Sequence, residues 1–344
     1  MIGSDIGIDL GTASTIIYVS GKGIVLHEPS IVAVDTRADK VIAVGSEAKA
    51  MLGRTGKDSF IKVIQPLKDG IISDDKVTGM MLKVFLKKIN INKIFKPRIC
   101  VCIPSKITKV QRRSVIDTVM SIGARNVFLI EEPVAAAIGS GIDISKANGI
   151  AVLDMGGGTT DIAVLSMNGI VCKDSIAIAG DTFNNSISRY IQETYSIDLS
   201  EVSTDNLKKE LAYVASETST TPREEKRYEL RGQRQSGSKL PQSIIIRNSE
   251  LAEVLRDDCE KVISVLQSVL KNTPPELVAD ISRNGLLMTG GGSMLDGLDE
   301  LLTERIGFKA YRSPNPIDAV AIGTGESFKF NKKLLDGYSG YSRS

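Results

Sequence analysis

Two short stretches of this chain repeat one another at a separation of 145 residues, and that repeat limits what the chain can become. The second copy is the plainer one. Gly149 to Asp161, GIAVLDMGGGTTD, carries four apolar residues into Asp154 and then, after Met155, three consecutive glycines. The apolar run predicts a buried strand that delivers Asp154 to its end. Gly156, Gly157 and Gly158 leave the following turn without side chains, so backbone N–H groups there can approach an anion closely. Thr159, Thr160 and Asp161 then enter a second apolar run, Ile162 to Leu165. The unit reads strand, glycine turn, strand: a hairpin, not the strand-to-helix turn of a dinucleotide or Walker loop. The first copy, DIGIDLGTAST, lays Asp9 on Asp154, Gly11 on Gly156, Ser14 on Thr159 and Thr15 on Thr160. Two related halves that face one another across a cleft follow from that match.

The length agrees, since 344 residues exceed one ordinary core. Forty-three basic against forty-one acidic residues give no reason to expect a nucleic-acid partner. Four cysteines in apolar contexts, with no CxxC pair, read as buried thiols, and His27, the only histidine, excludes histidine triads and His-rich metal sites. No apolar run reaches the roughly 18 residues of a spanning helix, and the first strand begins near Ser4 with no leader before it. A cytoplasmic protein is expected.

Between the hairpins, short strands at 30–35 and 41–44 suggest a small inserted unit, followed by a helical stripe through Val77, Met81 and Val84. A buried strand over 98–103, a helix over 108–122 and a strand over 127–130 come next. That last strand hands over to Glu131, Glu132 and Pro133, with the proline in the first turn of a small-residue helix. In the second half the pattern predicts a strand pair over 169–178, a turn at Gly180 and Asp181, helices over 183–191 and 205–214, and a long helix through Leu251 to Val269. Residues 216–241 read as a surface loop or irregular hairpin, and the tail from Lys329 as frayed. A third glycine turn, Gly290 to Ser293, follows a strand over 285–288 and opens a helix.

Jointly these turns define a chemistry. Two hairpins can offer N–H groups to the β- and γ-phosphates of a nucleotide, while Asp9 and Asp154 hold Mg²⁺ through its waters, because that ion dehydrates reluctantly. The third turn lets a purine lie against bare backbone.

The order DIGIDLGTAST, IEEPVAAAIGSG, DMGGGTTD, AGD, TGGGSML and AVAIGTG resembles the actin, sugar-kinase and heat-shock-chaperone ATPase superfamily. GKGIVLHEPSIVAVD, PLKDGIISD, FKPRICVCIPS and TPPELVADI resemble MreB-type bacterial actins, so the likeness spans nearly the whole chain. It implies an α/β actin-like ATPase fold: two related mixed-sheet domains around a nucleotide cleft, each with a smaller subdomain. The first would be 1–145 plus 317–344 (small subdomain about 33–65), the second 146–316 (small subdomain about 182–245). It implies ATP or ADP bound with Mg²⁺, with Gly11, Thr12, Ala13 and Gly156, Gly157, Gly158, Thr159 on the phosphates. Gly180, Asp181, Asp205, Lys208, Gly291, Gly292, Ser293 and Met294 would enclose ribose and base. Glu131 would activate the attacking water, with Thr159 a second candidate for positioning it.

The likeness further implies self-assembly into antiparallel double filaments that govern cell shape. It also implies partnership with related actin paralogues, and docking on the inner face of the cytoplasmic membrane through a hydrophobic loop. Ile94 and Phe95, between Lys93 and Lys96, fit such a loop. Abundant Lys, Ile and Asn hint at an AT-rich genome and a wall-less cell, where the role would be shape and motility. Departures from the family pattern are Ser14 for asparagine, Asp161 for glutamate, and SEVSTDN (200–206) for a GERTAE-like run, which leaves Asp205 one methylene short. The alternatives are a filament partner with little turnover and a small-molecule kinase. A kinase would need larger insertions, and a chaperone a peptide-binding domain after the last helix.

Overall fold

The computed structural model describes residues 4–56, 59–89, 96–215, 224–234, 241–330 and 338–342. The repeat seen at the two hairpins extends over whole sheets. In the first sheet, strands Asp5–Leu10 and Ser14–Val19 pair antiparallel with Asp9 opposite Ile16. In the second, Ile150–Met155 and Thr160–Ser166 pair with Asp154 opposite Asp161, so both members of the pair are displaced by the same 145 positions. The turns are closed by the same bond, Gly11 N–H to the Ser14 carbonyl at 3.1 Å and Gly156 N–H to the Thr159 carbonyl at 2.9 Å.

Each hairpin gains a third antiparallel strand, Gly23–Pro29 or Gly169–Ile176, and on its other side two parallel strands. The parallel strands are Arg98–Ile103 and Asn126–Glu131 in the first sheet, Leu286–Thr289 and Ala310–Arg312 in the second. Both sheets thus follow one plan, with the hairpin in the middle and its turn at the carboxyl end of the parallel strands. Open α/β sheets bind ligands at that end.

Three apolar layers hold this together. Helices Asp75–Lys88 and Lys109–Ser121 cover the first sheet with Met81, Leu82, Phe85 and Val119. The second of these starts at Thr108, whose hydroxyl accepts from Gln111 N–H while the Gln111 side chain accepts from Thr108 N–H. Helices Gly180–Tyr195 and Asn248–Lys271 cover the second sheet with Phe183, Ile187, Leu255 and Val262.

The middle layer contains helices Glu132–Gly139 and Ala319–Glu326, both built from small residues. Their backbones touch. A Cβ on Gly139 would lie 1.8 Å from the Ala319 carbonyl oxygen, and one on Gly323 1.8 Å from that of Ala135. No helix among the described residues is long and apolar enough to cross a membrane.

Several expectations change. Residues 169–178 form one strand, Gly169–Ile176, entered from Thr160–Ser166 through left-handed Met167 and Asn168. The helix expected from 205 begins at Glu201, capped by Ser200, whose hydroxyl accepts from Ser203 N–H at 3.1 Å. Within 216–241, Arg227–Arg234 is a regular strand paired with Pro241–Arg247; residues 216–223 and 235–240 lie outside the described residues. The third glycine turn runs into a 3-10 turn, Gly291–Met294, and the α-helix starts only at Leu298. Part of the tail is ordered too, since Tyr338–Ser342 pairs antiparallel with Asn126–Glu131 and closes that sheet edge.

The helix contact yields a stability prediction. Gly323→Ala places a methyl group where carbonyl oxygen already stands, and neither backbone can yield without moving its sheet. A loss of about 3 kcal/mol is expected, read as a lowered urea midpoint, whereas Ala137→Gly in the facing helix Glu132–Gly139 should cost only about 1 kcal/mol.

Candidate functional site

The two glycine turns meet nose to nose. A Cβ on Gly157 would lie 2.8 Å from Ala13 Cβ, and one on Gly158 2.8 Å from both Thr12 Oγ1 and Asp69 Cα. Only glycine fits at either position. Thr12 is itself fixed, its hydroxyl accepting from Gly70 N–H at 2.8 Å, and Ser30 Oγ donates to the Gly11 carbonyl at 2.7 Å. Thr159 sits beside this junction, its hydroxyl 3.4 Å from where a Gly70 Cβ would be. The Gly180 turn closes over the second hairpin: Gly180 N–H reaches the Gly156 carbonyl at 3.3 Å and Asp181 N–H that of Gly157 at 2.8 Å. Lys208 Nζ donates to the Gly180 carbonyl at 2.9 Å and pairs with Asp205 at 3.4 Å. Burial lowers the Lys208 pKa against the pull of Asp205, and burial raises Asp181 to about 6 despite Lys208.

A pocket opens above Ala13. Lys49 and Gln65 wall it on one side, and Asp181, Asn184, Glu201 and Asp205 on the other. Gln65 Nε2 reaches Glu201 Oε1 across it at 3.5 Å.

The third turn is stacked on the end of strand Ile150–Met155. A Cβ on Gly290 would lie 2.2 Å from the Met155 carbonyl oxygen and one on Gly292 2.4 Å from Met155 Cγ. Gly291 faces open space and Met294 is exposed, so both can line a ligand. Ser293 cannot offer its side chain, because the hydroxyl is buried and donates to the Gly290 carbonyl at 2.7 Å.

Below the turns lies a set of carboxyl groups withheld from water. Asp9 accepts from the Cys102 thiol at 3.1 Å, and burial lifts its pKa to about 6, with Asp318 adding to the rise. Asp154 accepts from Thr289 Oγ1 at 2.6 Å, yet burial, with Asp9 and Asp161 nearby, lifts it to about 7. Asp161 is fully buried, accepts from Ser105 N–H at 2.6 Å on one oxygen, and has no hydrogen-bond partner for the other among the described residues.

Glu132 completes the set. Burial, and then the charges of Asp161, Asp154 and Asp9, raise its pKa well above the ordinary range. No three His, Cys, Asp or Glu groups converge at metal-binding distance among the described residues. The acids therefore suit a cation that keeps its own waters, and such an ion would relieve the repulsion among them.

Glu131 is not in this set, which corrects the sequence expectation. Its carboxylate takes both oxygens to Lys173 Nζ, at 2.6 and 2.7 Å, on the strand Gly169–Ile176. The chain passes from extended at Glu131 (φ −76°, ψ 141°) into helix at Glu132, so the two side chains leave the backbone in different directions. The hairpin register could have revealed Asp161, since it is paired with Asp154 as Thr159 is with Gly156. The parts played by Cys102 and Thr289, on other strands, and by Ser105, in the loop after strand Arg98–Ile103, had no local signal. Ile94 and Phe95 lie outside the described residues.

Two sheets of one plan, glycine hairpins meeting across a cleft and a helix layer between them define an actin-like fold. Residues 3–336 match the family model described as MreB/Mbl protein. The chain is 44% identical over 326 residues to the cell shape-determining protein Mbl of Bacillus subtilis, with 94% of this chain and 96% of that one covered. MreB5 of Spiroplasma citri bound to AMPPNP superposes with a TM-score of 0.88 at 32% identity, covering 95% and 96%. A MamK double helical filament shares the fold at a TM-score of 0.76 and 18% identity, covering 94% and 98%. The chain belongs to the MreB/Mbl family of bacterial actin-like cytoskeletal proteins.

The buried acids predict a pH effect. Asp9 and Asp154 hold their protons to higher pH when folded than when unfolded, so the folded state binds more protons between about pH 4 and 7 and its stability falls as pH rises through that window. In EDTA the urea midpoint should therefore drop from acid toward neutral pH. Asp154→Asn should flatten the drop and leave the metal-free variant more stable than wild type at about pH 8.

Proposed function

We propose that this chain binds ATP with Mg²⁺ between its two glycine hairpins and polymerises, with slow hydrolysis regulating the polymer. The observation that carries the reading is the contact of two identically hydrogen-bonded glycine turns above buried strand-end acids. N–H groups of Thr12 and Ala13 and of Gly157 and Gly158 would hold the phosphates, with Gly11 and Gly156 closing the turns that present them. Gly180, Asp181, Asp205, Lys208, Gly291 and Met294 would hold ribose and base. Asp9 and Asp154 would hold Mg²⁺ through water, and the ion would supply positive charge to the phosphates. The family's cell-shape relatives and the nucleotide-bound MreB5 support this reading.

The division into 1–145 plus 317–344 and 146–316 is part of the proposal. Helix Ala319–Glu326 returns to the first sheet, where a Cβ on Gly7 would lie 2.4 Å from Gly325 N. Closing these halves on nucleotide would set the surface that adds head to tail. That contact is heterologous and does not close on itself, as a filament requires.

Glu132, in place of Glu131, would accept a proton from the attacking water. It is a buried carboxyl group among Asp161, Asp154 and Asp9, whose negative charges favour its taking up a proton. Glu132→Gln should slow phosphate release at least about a hundredfold in single turnover while filaments still form with ATP in electron micrographs. A wild-type rate in that variant would remove Glu132 from the chemistry. Peripheral membrane docking through Ile94 and Phe95 remains part of the proposal: serine at both should abolish pelleting with anionic liposomes and leave polymerisation intact.

A further inference from the structure

We propose that Glu131 and Lys173 form a latch across the foot of the cleft, a positioning pair that touches neither nucleotide nor metal and holds the two halves closed. This rests on the nucleotide reading above for its consequence, though not for its geometry.

Glu131 ends strand Asn126–Glu131 of the first sheet, and Lys173 lies on strand Gly169–Ile176 at the edge of the second. The Glu131 side chain is only 5% exposed, while Lys173, at 36%, reaches in from the rim. The Lys173 ammonium bonds both carboxylate oxygens at 2.6 and 2.7 Å. The next residue repeats the link in the opposite sense, since Asp174 pairs with Lys106, from the loop that follows strand Arg98–Ile103. Ser105 N–H, one residue before that lysine, donates to Asp161 on the neighbouring strand of the second sheet. Three consecutive contacts therefore join one loop and one strand end of the first half to two adjacent strands of the second.

The energetics of the three links differ. Lys106 is 64% exposed, so its pair is screened by water and contributes little. Glu131 is buried, and with Lys173 removed its charge would have no ion-pair partner among the described residues in the closed form. Parting the halves would hydrate it, so loss of the lysine favours the open form.

The latch also lies on the path to the nucleotide turn. Strand Gly169–Ile176 runs within four residues into Gly180, and Asp181 holds the Gly157 carbonyl over the second hairpin. Strain at the foot is thereby transmitted along one strand to the loop that covers the phosphates.

The test compares wild type, K173M, E131Q, K173R and the exchanged pair E131K/K173E by two measurements. Small-angle X-ray scattering of monomeric, nucleotide-free protein reads the opening directly. Stopped-flow release of a methylanthraniloyl-labelled ATP reads its effect on the cleft. K173M and E131Q should increase the radius of gyration and speed release about tenfold, the size of one well-formed charge coupling. K173R and the exchanged pair should return toward wild type, a rescue that a packing role for either side chain would not produce. Scattering from K173M identical to wild type, or an exchanged pair no better than the single variants, would overturn the latch. Should wild type bind no labelled ATP, the nucleotide reading fails and the scattering series alone decides the latch.

Discussion

Four carboxyl groups kept from water at the base of one cleft are the constraint on which the rest of the molecule turns. Asp9, Glu132, Asp154 and Asp161 come from four separate elements, and burial raises the proton affinity of each. Such a set is costly unless protons or a cation neutralise it. Its members are held by neutral donors: a thiol on Asp9, a hydroxyl on Asp154, a backbone N–H on Asp161. None of these discharges the site, and that leaves the negative potential in place beneath turns whose N–H groups suit an anion. A metal and a phosphate chain satisfy the two demands together, since either alone would meet only one.

Holding acids from both halves together requires that the halves approach closely. The helices Glu132–Gly139 and Ala319–Glu326 do this with small residues, so that backbone lies on backbone and the sheets on either side come near. The same economy appears at the turns, where Gly157 meets Ala13 and Gly158 meets Thr12. Side chains at those positions would hold the halves apart before the carboxyl groups met. Glycine is thus used here for proximity more than for unusual backbone angles.

Much of this was legible in the sequence because one motif occurs twice. The spacing between Asp9 and Asp154 fixes the hairpin register, and with it the partners Ile16 and Asp161. What escaped depends on contacts distant in sequence or on a single-residue boundary. At Glu131 and Glu132 the strand ends and the helix begins, and a boundary error of one residue exchanges the side each acid faces. The tail strand Tyr338–Ser342, of serine, glycine and tyrosine, has no aliphatic residue to signal a strand, although Tyr341 packs against the core of the first sheet. It is ordered by an open sheet edge, and by Phe128, whose ring would lie 2.8 Å from a Cβ on Gly340. The family likeness implies Ser293 as a ligand, yet its buried hydroxyl takes the nearest carbonyl, that of Gly290.

The interface between the halves consequently carries opposite electrostatics at its two ends. At the cleft, like charges from both halves face one another and favour separation until a cation enters. At the foot, Glu131 with Lys173 and Lys106 with Asp174 are opposite charges that favour approach. Neighbouring residues of one peptide unit serve the two ends, because Glu131 joins the foot and Glu132 the cleft. A rotation that opens the cleft must therefore draw Glu132 away from Asp161 and strain the Glu131 pair together. On the proposed latch, the balance between repulsion above and attraction below would set how far the empty protein opens. A cation bound among the acids would tip that balance without any new contact at the foot.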